Sequence, residues 1–292
     1  WLDAQIRPYI SNPILLALAY FAVLGIGSSI ISFPFSVYRT FVIEERFGFN
    51  KTTVKTFILD MIKGTALAIV IGGPLSALII WLFYELGEWF WLIAWIVVSG
   101  FSLFMTMFAA SWIMPLFNKF TPLEDGELRT MIEDYCDKVG FKLNNLFVMD
   151  GSKRSSKSNA FFSGLGPKKK IALYDTLMET QSNEEIVAIL AHEIGHYKKK
   201  HTLQSLVLSI LQTGVMLYLL GLFLRMPEFS LALGAGEMSF HVGIIAFGII
   251  FSPISTVIGI GMNMLSRKNE FEADAFARET YSGEPLASAL KT

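Results

Sequence analysis

Apolar residues run along this chain in long blocks rather than in the short alternating runs of a soluble domain. Five stretches, roughly Ile14 to Phe33, Ala66 to Tyr84, Phe90 to Ile113, Leu203 to Leu224 and Phe240 to Met262, are nearly free of charge and long enough to cross a bilayer. The polar segments between them alternate in basic content. Pro34 to Thr65 carries Arg39, Arg46, Lys51, Lys55 and Lys63, whereas Glu85 to Trp89 carries no basic residue. Met114 to Thr202 includes Lys153, Arg154, Lys157 and the triplets 168–170 and 198–200, whereas Arg225 to Ser239 has one basic residue; Arg267 and Lys268 follow the last stretch. Under the positive-inside rule this alternation predicts five spans, with 34–65, 114–202 and the tail in the cytoplasm. The lysine triplets read as topological anchors that snorkel to headgroups.

The polar stretch after the third span has the pattern of a small α/β unit. Glu124 to Val139 reads as an amphipathic helix, and Leu146 to Met149, Ala160 to Ser163 and Lys170 to Tyr174 read as short strands, the last two joined by a turn at Gly164 to Pro167. Ser182 with Glu185 three residues on is a capping box, so a helix is expected from Asn183. No proline follows before Pro227, which predicts one continuous helix to about Leu224. The expected organisation is membrane helices over 1–113 with a cytoplasmic loop at 34–65, a cytoplasmic α/β region over 114–202, membrane helices over 203–262 and a cytoplasmic helix over 263–292. Neither a repeat nor a low-complexity linker is seen, so the polar part reads as an insertion between spans.

Composition agrees: of 292 residues 53% are hydrophobic, 14% aromatic and only 17% charged, which fits an all-α multi-pass membrane protein in a lipid bilayer better than two soluble domains. A formal net charge of -1 leaves no basic excess for a nucleic-acid partner. The single cysteine, Cys136, excludes an intrachain disulfide and a cysteine-rich zinc site and reads as a packing residue. The chain opens at Trp1 without a charged n-region and cleavable apolar stretch, so no signal peptide is expected and the native start stays open.

The candidate chemistry lies in His192-Glu193-Ile194-Gly195-His196. Helical positions i and i+4 share a face, so both imidazoles can grip one metal ion, while Glu193, about 100° round the helix, can take a proton from an attacking water. Two histidines leave a tetrahedral zinc site short of a third protein ligand. Glu270 is the candidate, in the polar stretch Ser266 to Asp274, which the basic-segment alternation puts on the same side as His192. An ion pair with Arg267 or Lys268 is the alternative for Glu270. Asp274 is four residues further on the same face, where it can accept a hydrogen bond from a ligand histidine, in the first instance His192. Glu272 points to a different face and is expected to be solvated. For His201 and His241, interfacial or structural roles are expected. These residues imply a zinc-dependent endopeptidase holding one Zn²⁺ per chain, a gluzincin-like insertion in a membrane protein.

Four segments together resemble the type I CAAX prenyl endopeptidases, a family of integral-membrane zinc metalloproteases: Phe41 to Asn50, Ser156 to Phe162, Ala191 to His196 and Arg267 to Ala275. The resemblance implies helices enclosing a water-filled chamber and cleavage of proteins ending in a prenylated cysteine plus three residues. It also implies that Ser158 to Phe161 is an exposed edge strand pairing with the substrate backbone, with Asn159 and Ala160 as substrate contacts; a turn-forming role is the alternative for Asn159. The 44–50 loop shows no derivable chemistry and reads as a structural cap. Family members usually have further membrane helices before the point where this chain begins and a C-terminal segment with a histidine, whereas no histidine follows His241 here. The expected partners are a prenylated or membrane-associated substrate and the bilayer, and the expected setting is the endoplasmic reticulum or a bacterial inner membrane. A stress-type quality-control membrane protease would share the ligands, and a non-catalytic zinc-binding scaffold would not need Glu193.

Overall fold

The computed structural model describes residues 1–143, 145–163 and 170–291. The predicted turn at Gly164 to Pro167, with Lys168 and Lys169, lies outside the described residues. In chain order the elements are α1 (Leu2–Ile6), α2 (Pro13–Tyr38), α3 (Val54–Leu67), α4 (Gly73–Leu86), α5 (Phe90–Trp112), α6 (Met114–Phe117), β1 (Phe120–Pro122), α7 (Glu127–Lys138), β2 (Leu146–Met149), β3 (Ala160–Ser163), β4 (Lys170–Tyr174), α8 (Asp175–Thr180), α9 (Asn183–Lys198), α10 (His201–Phe223), α11 (Pro227–Ala232), α12 (Phe240–Thr280) and α13 (Gly283–Ala289). Among the described residues four helical stretches are long and apolar enough to cross a membrane, Pro13–Glu44, Val54–Phe117, His201–Phe223 and Phe240–Thr280. The second holds two of the expected spans, interrupted at Gly87, whose φ of +51° a residue with a Cβ rarely adopts.

The chain divides into two compact units. The first comprises 1–39, 61–101 and 207–261. Its helix α2 starts where Pro13 occupies the first helical position and the Asn12 side chain accepts from the amides of Ile14 and Leu15. Ala17, Ile80, Phe90, Leu220, Phe240 and Phe247 form its core, while Ile30 and Val257 remain 68% and 70% exposed. Large apolar side chains left bare along successive turns are at home against lipid, and the chain is an integral membrane protein. A buried polar cluster joins α1 to the start of α12: Asp3 accepts from His241 Nε2 at 2.7 Å and from Arg7 at 2.8 Å, and Arg7 also donates to Ser239 at 2.6 Å.

The second unit comprises 40–60, 102–206 and 262–292. Its sheet has the order β1-β2-β4-β3. Strands β2 and β4 run parallel, whereas β3 lies antiparallel to β4 with Ala160 opposite Leu173. The three sequence-expected strands lie where their patterns put them, and β1 joins antiparallel to β2. Ile132 and Cys136 of α7, Leu173 of β4 and Ile186, Leu190 and Ile194 of α9 share one core. The 44–50 loop is strapped to the segment before β3: Ser156 N–H donates to Phe49 O and Lys51 N–H to Arg154 O, both at 3.0 Å. Arg154 closes the strap with a paired contact to Asp60 at 2.7 and 2.9 Å.

One expectation fails at the centre of this unit. The continuous helix from Asn183 to Leu224 is broken between Lys198 and His201, with Lys200 in the left-handed region at φ 61°. A residue in the left-handed region just past the last turn lets backbone amides close a helix C-terminus, and α9 ends in that way at Lys200. Lys199 N–H donates to Gly195 O at 2.9 Å and Lys200 N–H to Tyr197 O at 3.0 Å.

Candidate metal centre

Helix α9 begins with a complete capping box: Ser182 N–H donates to Glu185 Oε2 at 2.8 Å, and the Glu185 amide donates to Ser182 Oγ at 3.3 Å. Register is thereby set from the first turn, and the apolar positions Ile186, Val187, Leu190 and Ile194 go into the core. His192, Glu193 and His196 occupy another face and stay half-buried. At Gly195 the helix meets the C-terminal part of α12 without an intervening side chain. A Cβ there would lie 3.2 Å from Ala273 Cα and from Ala273 O, so only hydrogen fits comfortably.

This approach brings three candidate ligands together. His192 Nε2 and His196 Nε2 lie 3.1 Å apart, and Glu270 Oε2 lies 3.4 Å from the first and 3.6 Å from the second. Four-coordinate zinc with ligands about 2.0–2.1 Å away holds neighbouring donor atoms roughly 3.3 Å apart, so the donor set and its spacing fit that ion. Two imidazole lone pairs and a carboxylate oxygen aimed at one point repel one another unless a cation or proton lies between them. Glu270 is not paired with Arg267 or Lys268 among the contacts of the described residues. Asp274 Oδ1 lies 2.8 Å from His192 Nδ1, and a carboxylate there can only accept, so the His192 proton sits on Nδ1 and Nε2 faces Glu270.

Glu193 and Glu270 line, with Asn159 and Ala160, a cavity of about 680 Å³. Burial pushes the Glu193 carboxyl above its usual range; the His192 ring opposes this and the Glu270 charge adds to it. Burial also lowers the His196 pKa, helped by His192 and His201 and opposed by Glu270. Both shifts favour the neutral forms of the two groups. The Asn159 side chain accepts from the amide of Ala160 at 2.8 Å, a local turn contact, while its carbonyl accepts from Tyr174 N–H at 3.0 Å. Phe49, from the strapped loop that showed no chemistry in sequence, and Leu286 and Leu290 at the C-terminal end form other parts of the wall.

One neighbour departs from its sequence reading, and a second takes a structural role that the reading had left open. Glu272, expected to be solvated, has Oε2 3.2 Å from His201 Nε2. His201 itself is 5% exposed, with its Nδ1 3.1 Å from His196 Nδ1. Spacing along α12 shows that Glu272 leaves the Glu270 face; it cannot show that the helix break turns another histidine toward that second face.

Comparison with known proteins shows the family. The pattern of peptidase family M48 matches residues 122–290, and that of the CAAX prenyl protease N-terminal region, described with five membrane helices, matches residues 1–119. CAAX prenyl protease 1 of Saccharomyces cerevisiae is 38% identical over 302 residues, covering 98% of this chain, and the Arabidopsis thaliana CAAX prenyl protease 1 homolog is 42% identical over 284, covering 96%. This chain spans 66% of the length of each. The crystal structure of S. mikatae Ste24p superposes with a TM-score of 0.93 at 36% identity, covering 99% of this chain and 72% of that one. The α9 histidines and the 270–274 stretch of α12 both fall within the longer match, and the chain belongs to peptidase family M48, with the N-terminal region of its CAAX prenyl proteases.

Proposed function

We propose that this chain acts as a zinc-dependent membrane endopeptidase that removes the last three residues after the prenylated cysteine of CAAX proteins. The observation that carries the chemistry is the convergence of His192, His196 and Glu270 within 3.1–3.6 Å of one another, beside a carboxyl that burial keeps ready to hold a proton. Those three residues would hold one Zn²⁺, which supplies Lewis acidity to the scissile carbonyl and acidifies water toward neutral pH. Glu193 takes the proton of the attacking water and passes it to the leaving amine. Asp274 fixes the His192 tautomer and raises its basicity as a ligand. Among the described residues strand β3 has a hydrogen-bonded neighbour on one side only, and Asn159 and Ala160 bring that edge to the cavity, where an extended substrate can add as a strand.

The choice of a prenylated substrate rests on the names of the relatives and on the coverage of both family patterns. The alternation of basic segments supports a cytoplasmic active site, an orientation compatible with the endoplasmic reticulum and with a bacterial inner membrane. The test is cleavage of matched farnesylated and unmodified CAAX peptides by the purified full-length protein, with and without chelator, and with Glu193→Gln. Preferential, chelator-sensitive cleavage of the farnesylated peptide is expected. Equal cleavage of both removes the prenyl requirement, and wild-type turnover by Glu193→Gln removes the general base.

A further inference from the structure

The two candidate ligand histidines are held in different ways. His192 has a carboxylate directly behind it, Asp274, at 2.8 Å. His196 has another imidazole: His201 Nδ1 lies 3.1 Å from His196 Nδ1, and His201 Nε2 lies 3.2 Å from Glu272 Oε2. Only one placement of protons agrees with a metal on His196 Nε2. Glu272 can only accept, so His201 carries its proton on Nε2 and offers a lone pair at Nδ1. His196 must then donate from Nδ1, which leaves the lone pair of Nε2 directed at Glu270. If His201 instead donated from Nδ1, the proton of His196 would move to Nε2 and block that ligand atom.

We propose that His201 and Glu272 are positioning residues for His196, a two-member relay doing for the second ligand what Asp274 does for the first; the inference rests on the zinc reading above. Its structural cause is the break after α9. In a continuous helix His201 would lie about 140° round the axis from His196, out of reach of its ring. The left-handed Lys200 turns the chain so that the first residue of α10 comes back to the ring. His201 is 5% exposed and both of its nitrogens are engaged, which a topological anchor at a headgroup would not need. The competing account of Glu272 is an ion pair with Lys268, but that contact is 3.7 Å long and its lysine is 70% exposed. The ligand Glu270 and the two outer carboxylates, Glu272 and Asp274, are thus spaced two apart on α12: Asp274 backs His192 directly, and Glu272 backs His196 through His201 of α10.

The experiment measures zinc affinity by chelator competition on the purified full-length protein in detergent, with the melting temperature of the metal-free protein beside it. Glu272→Ala and His201→Phe should each weaken zinc binding by roughly 10- to 100-fold, as loss of such outer partners usually does, with the metal-free melting temperature within about 2 °C of wild type. Because His201 is buried, Glu272→Ala at the half-exposed end of the relay carries the test if His201→Phe does not fold. His201→Gln, whose amide oxygen can still accept from His196, should recover part of the loss. The double variant should bind no more weakly than the worse single variant, since both remove one chain of contacts. Wild-type affinity in Glu272→Ala, additive losses in the double variant, or an equal loss in Lys268→Gln would each overturn the proposal. Full zinc occupancy in His196→Ala would instead refute the zinc reading, and the relay with it.

Discussion

Replacing Gly195 with alanine tests whether the spacing of two helices sets the metal centre. The added Cβ would meet Ala273 Cα, Ala273 O and Phe276 Cδ1, each at 3.2 Å, where carbon contacts prefer roughly 3.5–4.0 Å. A phenylalanine ring can swing aside, but the Ala273 backbone can yield only by moving α12 outward by about half an ångström. Overpacking of this kind costs about 1–3 kcal/mol, and alanine returns about 1 kcal/mol of helix propensity over glycine, so the net loss of stability is about 0–2 kcal/mol. Function should suffer more. Ala273 adjoins Asp274, and Glu270 is one turn earlier, so the same movement stretches donor distances of 3.4 and 3.6 Å that a site tolerates only to about 0.5 Å. The expected result is roughly a tenfold loss of zinc affinity and of peptide cleavage with little change in melting temperature. Gly64→Ala, on a helix where nothing lies within 4 Å of the new atom, is the matched control and should change neither. Zinc affinity and turnover of Gly195→Ala within twofold of wild type would refute the reasoning.

Asp274→Asn should preserve the fold and weaken zinc binding by roughly 10- to 100-fold, while Glu279→Gln, exposed further along the same helix, should leave the titration unchanged; equal effects would remove the special role of Asp274. Cys136 is 1% exposed and its thiol is pushed up to about 11 by burial, so iodoacetamide at pH 8 should modify it slowly in the folded protein and rapidly after denaturation, and fast native labelling would place it elsewhere. Single cysteines at Lys199 and Glu228 in a Cys136-free background should be labelled from opposite sides of the membrane, the first from the cytoplasm. Labelling of both from one side would break the five-span reading.

The parts of the structure written in local periodicity were legible from sequence. The capping box at Ser182 and Glu185 announced where α9 starts, and the i, i+4 spacings placed His192 with His196 and Glu270 with Asp274, because a helix repeats every 3.6 residues whatever surrounds it. Strand β1 escaped because three residues ending in Pro122 hold no alternation to read, and pairing with β2 alone defines them. The break at Lys200 escaped for a different reason: no glycine or proline marks it, and a lysine in the left-handed region is held there by its surroundings. Glu272 was misread as a consequence. Its face on α12 was inferred correctly, but the partner on that face comes from residue 201, by way of a turn that local pattern did not show. Phe49 likewise reaches the cavity wall only because Ser156 and Arg154 strap its loop to the segment before β3.

The proposed pairing of substrate with the edge of β3 that is open among the described residues also bears on which proteins would be safe from this site. A segment that adds to an edge must offer its own amides and carbonyls, so it cannot be using them in a helix or in another sheet at the time. Strand β3 is only four residues long, and Asn159 and Ala160 at its start line the cavity that Glu193 also lines. An entering chain therefore has to be unstructured over a comparable length before it can pair. Folded domains would be passed over without any recognition of their sequence, and frayed termini would be the natural points of entry. Under that proposal a proline or an N-methylated residue at a pairing position would block cutting in an otherwise ideal peptide, since it removes a donor to the edge.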